Sequence, residues 1–272
     1  MPSENYLSFD VEEYFHGPAY DHIEPARWPQ LPRRLPANMQ KLLSILGTQH
    51  RATFFFVGWV AEEYPEIVKE LHRAGHEIGC HGHMHRNIWD QTPAQFRDDV
   101  RRAKETIEGV IGERIIGYRA PTFSITRDTV WALDVLHDVG FAYDSSVFPI
   151  RHDRYGIPDA PRAPYRLPSG LLEIPLSTVR VLGQNIPFGG GGYLRVYPYW
   201  TTAMLIWLRR RGGQPFVLYQ HPWELDRGSV PRPKSLVSRA RRSIMIGRPE
   251  DKLTKLLARH RFVPLRTALQ VA

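Results

Sequence analysis

His81 and His85 stand four residues apart in the polar run Cys80-His81-Gly82-His83-Met84-His85, a spacing that lets two imidazoles reach one ion. A chain with twelve histidines produces such pairs by chance, so the weight of this one comes from its company. Asp10, Glu12, Arg119, Asp144 and His221 each close an apolar run that reads as a β-strand. Two histidines and one carboxylate leave coordination positions open for water, as a hydrolytic metal centre requires. Asp10 and Glu12 are two residues apart, so on a regular strand both face the same way. One suits a metal ligand and the other a base that takes a proton from water. Arg119 suits a bidentate contact that holds this base ionised, and His221 suits the general acid that protonates a leaving amine. Trp89, Tyr14, Phe15, Tyr155 and Trp223 sit in the same loops, where aromatic faces can stack on sugar rings or support the rim by packing.

These side chains converge only if the elements beneath them do. Strand-like runs alternate with amphipathic helices almost throughout, which implies parallel α/β architecture. Strands are expected over Tyr6 to Val11, Ala52 to Val57, Glu77 to Cys80, Ile115 to Tyr118, Phe141 to Tyr143 and Phe216 to Gln220, with strand character again over Leu171 to Val181. Helices are expected over Glu62 to Ala74, from the Thr92-Pro93 start signal to about Ile111, and over Asp128 to Val139, Tyr199 to Arg211 and Pro249 to His260. Trp200, Met204 and Trp207 are read as core packing in the fourth of these helices. Phe148 to Pro168 reads as a long ordered loop, Gly189 to Gly192 as a tight or mobile turn, and Arg227 to Arg248 as basic and irregular. In a parallel barrel, catalytic groups project from the C-terminal strand ends, where the loops share one mouth. Asp10, Glu12, His81, His85, Arg119, Asp144 and His221 all fall at such ends.

A length of 272 residues with 42% apolar composition can bury a large core, and neither a repeat nor a disordered linker divides it. One domain over 1–272 is expected, with 6–150 carrying most motifs and 151–272 completing the barrel and supplying His221. The single cysteine, Cys80, excludes an intrachain disulfide and reads as a small core residue. The first strand begins too early for a secretory leader, and no run approaches the ~20 apolar residues of a membrane span. A cytoplasmic protein is therefore expected, peripheral to the inner membrane at most. The net charge of +8, densest at Arg209-Arg210-Arg211 and Arg239 to Arg242, is assigned to solvated helix ends with attraction to anionic surfaces. No nucleic-acid-binding motif accompanies it, and the glycine run lacks the residues of a phosphate loop.

Together the motifs resemble the polysaccharide deacetylase family, the NodB-homology group of carbohydrate esterases. Ser8-Phe9-Asp10-Val11-Glu12 resembles its first motif, His81-Gly82-His83-Met84-His85 the second, Arg119-Ala120-Pro121 the third and Leu218-Tyr219-Gln220-His221 the last. Ser8 to Phe15, Arg119 to Thr126, Asp144 to Gly156 and His221 to Asp226 are most similar to the subgroup found with bacterial exopolysaccharide and exosortase loci. The resemblance implies a distorted (β/α)7 TIM-like barrel holding a divalent ion, usually Zn2+, that removes N-acetyl groups from amino-sugar polymers. It makes Asp10 the base, His81 and His85 metal ligands, Arg119 the holder of the base and His221 the acid. The backbone N–H near Thr122 completes an oxyanion hole. Two departures stand out. Val11 occupies the place of a usual second Asp and cannot ligate, so Glu12 is the substitute ligand, ahead of Glu13, whose side chain should face the other way. Thr122 also precedes Phe123 where an aromatic usually follows the proline. An N-acetylated polysaccharide or its lipid-linked precursor is the expected partner. The alternatives are hydrolysis of a cyclic imide or small amide on the same scaffold, and a carbohydrate-binding protein without catalysis.

Overall fold

A computed structural model describes residues 4–226 and 248–270; of the basic run expected over 227–248, residues 227–247, with Arg239 to Arg242, lie outside them. Among the described residues, nine strands form one curled sheet. Parallel pairing runs outward from β1 (Asn5–Val11) through β2 (Thr53–Phe56), β3 (Glu77–Cys80), β4 (Gly117–Tyr118) and β5 (Tyr143–Asp144) to β7 (Leu172–Glu173). The short β6 (Tyr165–Arg166) adds antiparallel to β7, while β10 (Val217–Gln220) and β11 (Phe262–Val263) pair parallel with β1. Between β7 and β10 the wall is irregular: the Val217 N–H donates to Ser177 Oγ at 2.7 Å, and the Tyr219 N–H to the Gly189 carbonyl at 2.7 Å. The result is the expected distorted barrel, curled and closed by loop contacts instead of a full ladder.

Strand alternation sorts the side chains into two layers. Leu7, Phe9, Val11, Phe54, Phe56, Ile78 and Cys80 point outward into a core shared with the helices. Tyr6, Phe55, Tyr143, Val217 and Tyr219 point inward and fill the barrel. By the same period Ser8 and Asp10 on β1 and Glu12 just after it share the inward face, His81 and Arg119 follow Cys80 and Tyr118 onto it, and His221 follows Gln220. Cys80 is buried in the outer core, as its sequence context implied. The far end of the barrel is sealed with polar groups. There Glu77 accepts from the Tyr143 hydroxyl at 2.9 Å and from the Arg266 N–H at 3.0 Å.

Several elements differ from the sequence expectation. The helix expected over 62–74 is two, α2 (Gly58–Glu63) and α3 (Pro65–Arg73), because Pro65 holds Tyr64 out of helical conformation at φ −133°, ψ 54°. The run 171–181 is broken into β7 and β8 (Thr178–Val181), and β8 pairs with β9 (Gln184–Pro187) in a separate hairpin. The helix α4 (Pro93–Ile111) carries the expected Thr92 cap, and α5 (Ala132–Val139) ends at Gly140. The expectation passed over α1 (Leu35–Leu46), whose Leu35, Met39, Leu42 and Leu46 form one buried stripe. Two helices follow the hairpin, α6 (Gly191–Val196) and α7 (Tyr199–Arg211), and α8 (Pro249–Arg259) lies near the end of the chain. On α7, Trp200, Met204 and Trp207 are exposed, not core residues: the buried face is Thr202, Leu205, Ile206 and Arg209. Arg209 is no solvated helix end either. Its guanidinium donates to the carbonyls of Pro215, Thr178 and Arg162 at 2.9, 3.1 and 2.7 Å, which compensates its burial.

Glu13 has a structural task. Its carboxylate accepts the N–H groups of Arg34 and Leu35, each at 3.0 Å, and the Tyr64 hydroxyl at 3.2 Å, so it caps α1 from a distance. Glu13→Ala should therefore cost about 1–2 kcal/mol in chemical denaturation, the scale of a lost helix cap, while metal content stays unchanged.

Candidate active site

Glu12, His81 and His85 bring one ligand atom each within 4.8 Å of one another at the C-terminal mouth of the barrel. Glu12 Oε2 lies 2.5 Å from His85 Nε2 and 4.0 Å from His81 Nε2. The Nδ1–H of His81 donates to the Arg119 carbonyl at 2.8 Å; a carbonyl can only accept, so Nε2 carries the lone pair that faces Glu12. The loop between the two histidines is tied to α4 by Asp99, which accepts the N–H groups of His83 and Met84 at 2.8 and 3.3 Å. His85 itself adopts the left-handed region at φ 51°, uncommon for a residue with a side chain.

The protonation states suit a cation. Burial pushes His81 down to about 4, leaving it neutral at physiological pH. Burial alone would push the Glu12 carboxyl up, but His85, His221 and His81 outweigh it and hold the group well below the usual carboxylate range. Glu12 Oε2 is fully buried yet has no aligned hydrogen-bond donor. A buried anionic oxygen facing two imidazole nitrogens without a donor is an orphaned arrangement, and a divalent cation would satisfy all three atoms at once. The donor set fits the metal expected here.

Asp10 and Arg119 form the second half of the site. Arg119 is fully buried, and its Nη1 donates to Asp10 Oδ1 at 2.8 Å and to Ser8 Oγ at 2.7 Å. Its Nε and Nη2 go to the Ser145 carbonyl and hydroxyl, both at 3.0 Å. The expected bidentate grip on Asp10 is thus a single contact, because the rest of the guanidinium spans the barrel to Ser145. Asp10 Oδ2 is left toward His221, whose Nε2 lies 3.8 Å from it and 3.7 Å from Glu12 Oε1. These groups stand side by side, not on opposite walls of a substrate slot. Burial would depress His221, but Glu224, Glu12 and Asp10 outweigh it and hold the imidazole up to about 9, protonated at neutral pH. A divalent cation beside Glu12 would draw that value down.

The remaining expected residues separate into groups. Thr122 and Trp89 line one cleft of about 580 Å3 with His85, His16, Trp28 and Tyr20. Thr122 and Phe123 both take left-handed backbone, at φ 54° and 53°, which turns the chain sharply after Pro121. Tyr155 packs on His152 and Phe148 instead of lining this cleft. Trp223 is a holder: its Nε1–H donates to Glu12 Oε1 at 2.8 Å while its ring stacks on His221 at 4.8 Å. Asp144 does not join the mouth. Alternation sends it away from Tyr143, and it accepts Ser146 Oγ at 2.6 Å beside Glu173, its neighbour on the adjacent strand. Burial pushes both carboxyls up, as two like groups sharing a dry site require.

Sequence reading missed His16 and Glu224. His16 stacks on His85 with ring centroids 5.7 Å apart, held by the Glu13 N–H at 3.2 Å. Glu224 Oε2 lies 3.8 Å from His221 Nδ1 and can do so only because residue 191 is glycine: a Cβ there would stand 1.7 Å from that oxygen. The glycine run is a ledge, not a mobile turn. Gly189, Gly190 and Gly191 press their backbone against Val217, Tyr219 and Glu224. Close backbone approach was the available signal.

Residues 26–143 match the polysaccharide deacetylase family, and residues 145–270 match a domain of unknown function, DUF3473. The chain is 33% identical over 108 residues to a peptidoglycan deacetylase of Helicobacter pylori, covering 39% of this chain and 36% of that protein. It is 32% identical over 107 residues to the peptidoglycan deacetylase-like protein FGM2 of Gibberella zeae, covering 39% and 31%. The chain thus spans about a third of the length of these curated relatives. Among solved structures, a polysaccharide deacetylase candidate of Mycobacterium smegmatis aligns over 100% of this chain and 91% of its own, at 20% identity and TM-score 0.60. The peptidoglycan deacetylase PdaC of Bacillus subtilis aligns over 99% and 91%, at 14% identity and TM-score 0.52, and both likenesses speak for the fold.

Proposed function

We propose, from the match of residues 26–143 to the polysaccharide deacetylase family, that this chain is a metal-dependent hydrolase of N-acetyl groups on amino-sugar units of a bacterial exopolysaccharide or its lipid-linked precursor. The observation that carries this reading is the convergence of Glu12, His81 and His85 beside the Asp10–His221 pair. A divalent ion held by those three ligands, most suitably zinc, would supply Lewis acidity to the acetyl carbonyl and to water. Asp10 takes the proton of the attacking water, with Arg119 and Ser8 fixing Oδ1 so that Oδ2 remains the basic oxygen. His221 delivers its proton to the amine nitrogen as the carbon–nitrogen bond breaks. The Thr122 N–H, presented by the left-handed turn, donates to the carbonyl oxygen as it gains charge. Trp89 and Thr122 wall the cleft that receives the sugar, and the net charge of +8 favours association with anionic surfaces.

Val11 is no vestige of a lost ligand: it lies in the outer core, and Glu12 serves from the inward face. That favours an enzyme over a binding protein. Stripping the protein with a chelator should abolish acetate release from N-acetylated oligosaccharides, and adding back zinc should restore it. Full activity in metal-free protein would refute the metal role. Faster turnover of cyclic imides or small amides than of any N-acetylated glycan would move the substrate to the rival class.

A further inference from the structure

From Ile174 to Trp223 the chain contains no Asp or Glu, yet it carries five arginines: Arg209 is buried and Arg195 pairs with Glu224, while Arg180, Arg210 and Arg211 are at least partly exposed. The same stretch holds Val181, Leu182, Val196, Trp200, Met204, Trp207 and Leu208, which make up most of the exposed large apolar side chains among the described residues. On α7, Trp200, Met204, Trp207, Leu208 and Arg211 follow helical spacing and form one stripe opposite the buried face. Trp200 is 67% exposed and Trp207 53%, values unusual for rings of this size. The β8–β9 hairpin flanks the end of the stripe, with Arg180 and Leu208 lining one groove. At its tip Leu182 is 98% exposed at φ 48°, an apolar residue in a conformation that costs energy and gains no packing in return.

We infer that this face of α7, with the hairpin tip, docks on an anionic lipid bilayer. Tryptophan settles at the boundary between headgroups and acyl chains, aliphatic neighbours enter just below, and arginines meet the phosphates. Arg211 already lies over the Trp207 ring at 4.8 Å, which places its charge at the edge of the apolar stripe. A sugar-binding platform would pair its aromatic rings with acidic or amide side chains that grip hydroxyls; here the neighbours on the stripe are Met204 and Leu208. The missing acids remove the repulsion that an anionic surface would otherwise meet. The inference does not depend on the reaction assigned to the barrel mouth.

The test is flotation of the full chain with vesicles of phosphatidylcholine alone or mixed with phosphatidylglycerol. The wild type should float with the mixed vesicles, detach as salt rises, and remain unbound with phosphatidylcholine alone. The double variant Trp200→Ser with Trp207→Ser should lose about tenfold or more of that binding, with its thermal midpoint and metal content unchanged. Failure of the wild type to float, equal floating with both vesicle types, or undiminished binding by the variant overturns the inference. So does retention on an immobilised N-acetylated glycan that the wild type shows and the variant loses, which would make the face a polymer platform.

Discussion

His221→Ala is expected to keep its metal and lose acetate release by about 10²–10⁴-fold, the contribution of a positioned general acid. The imidazole stands outside the Glu12, His81 and His85 cluster and is held protonated, with its Nε2 3.7 Å from Glu12 Oε1 and 3.8 Å from Asp10 Oδ2. His81→Ala and His85→Ala should lose metal and turnover together, so elemental analysis beside an acetate assay separates the two roles. The pH profile adds a sign. A proton donor is competent only while protonated, so the wild-type rate should fall as pH rises through the His221 pKa, which its acidic neighbours raise and a bound cation would bring below the value of about 9. His221→Ala should flatten that alkaline limb. A variant that retains the metal, the rate and the limb would remove His221 from the mechanism.

Arg119→Met should be the most damaging single change to stability. It would strip from Asp10, whose side chain is 2% exposed, the guanidinium that hydrogen-bonds it, and leave Ser8 and the Ser145 carbonyl without their donor. Breaking a buried pair on one side costs about 3–5 kcal/mol, because the remaining carboxylate stays desolvated without its hydrogen-bonded partner. The shift in denaturant midpoint measures it. Adding Asp10→Asn to Arg119→Met should recover part of the loss by removing the stranded charge, yet restore no acetate release, because Asp10 is the base. An additive double variant would mean that Asp10 and Arg119 are not coupled.

Much of the site was legible because a strand has a strict period. Asp10, Glu12, His81, Arg119 and His221 all lie on one face by counting twos from apolar neighbours, and the barrel brings that face to a common mouth. What escaped the sequence depends on contacts between distant segments. Asp144 closes an apolar run as Arg119 does, but Tyr143 before it points inward where Tyr118 points outward, so Asp144 faces away and meets Glu173 across the sheet. The stripe of α1 was readable at Leu35, Met39, Leu42 and Leu46, though the cap that starts the helix is Glu13 from another loop. On α7 both faces carry apolar residues, so hydrophobicity could not choose between them. The choice is made by Arg209, whose three carbonyl partners fix the inward side.

Gly191 gives the absence of a side chain a chemical meaning. Glu224 reaches the far nitrogen of His221 through space that a single methyl group at residue 191 would fill. Gly191→Ala would push that carboxylate back and make the imidazole surrender its proton more readily, with metal ligands, base and cleft all intact. A position that contacts neither sugar nor ion thus sets how tightly the acid keeps what it must later give away.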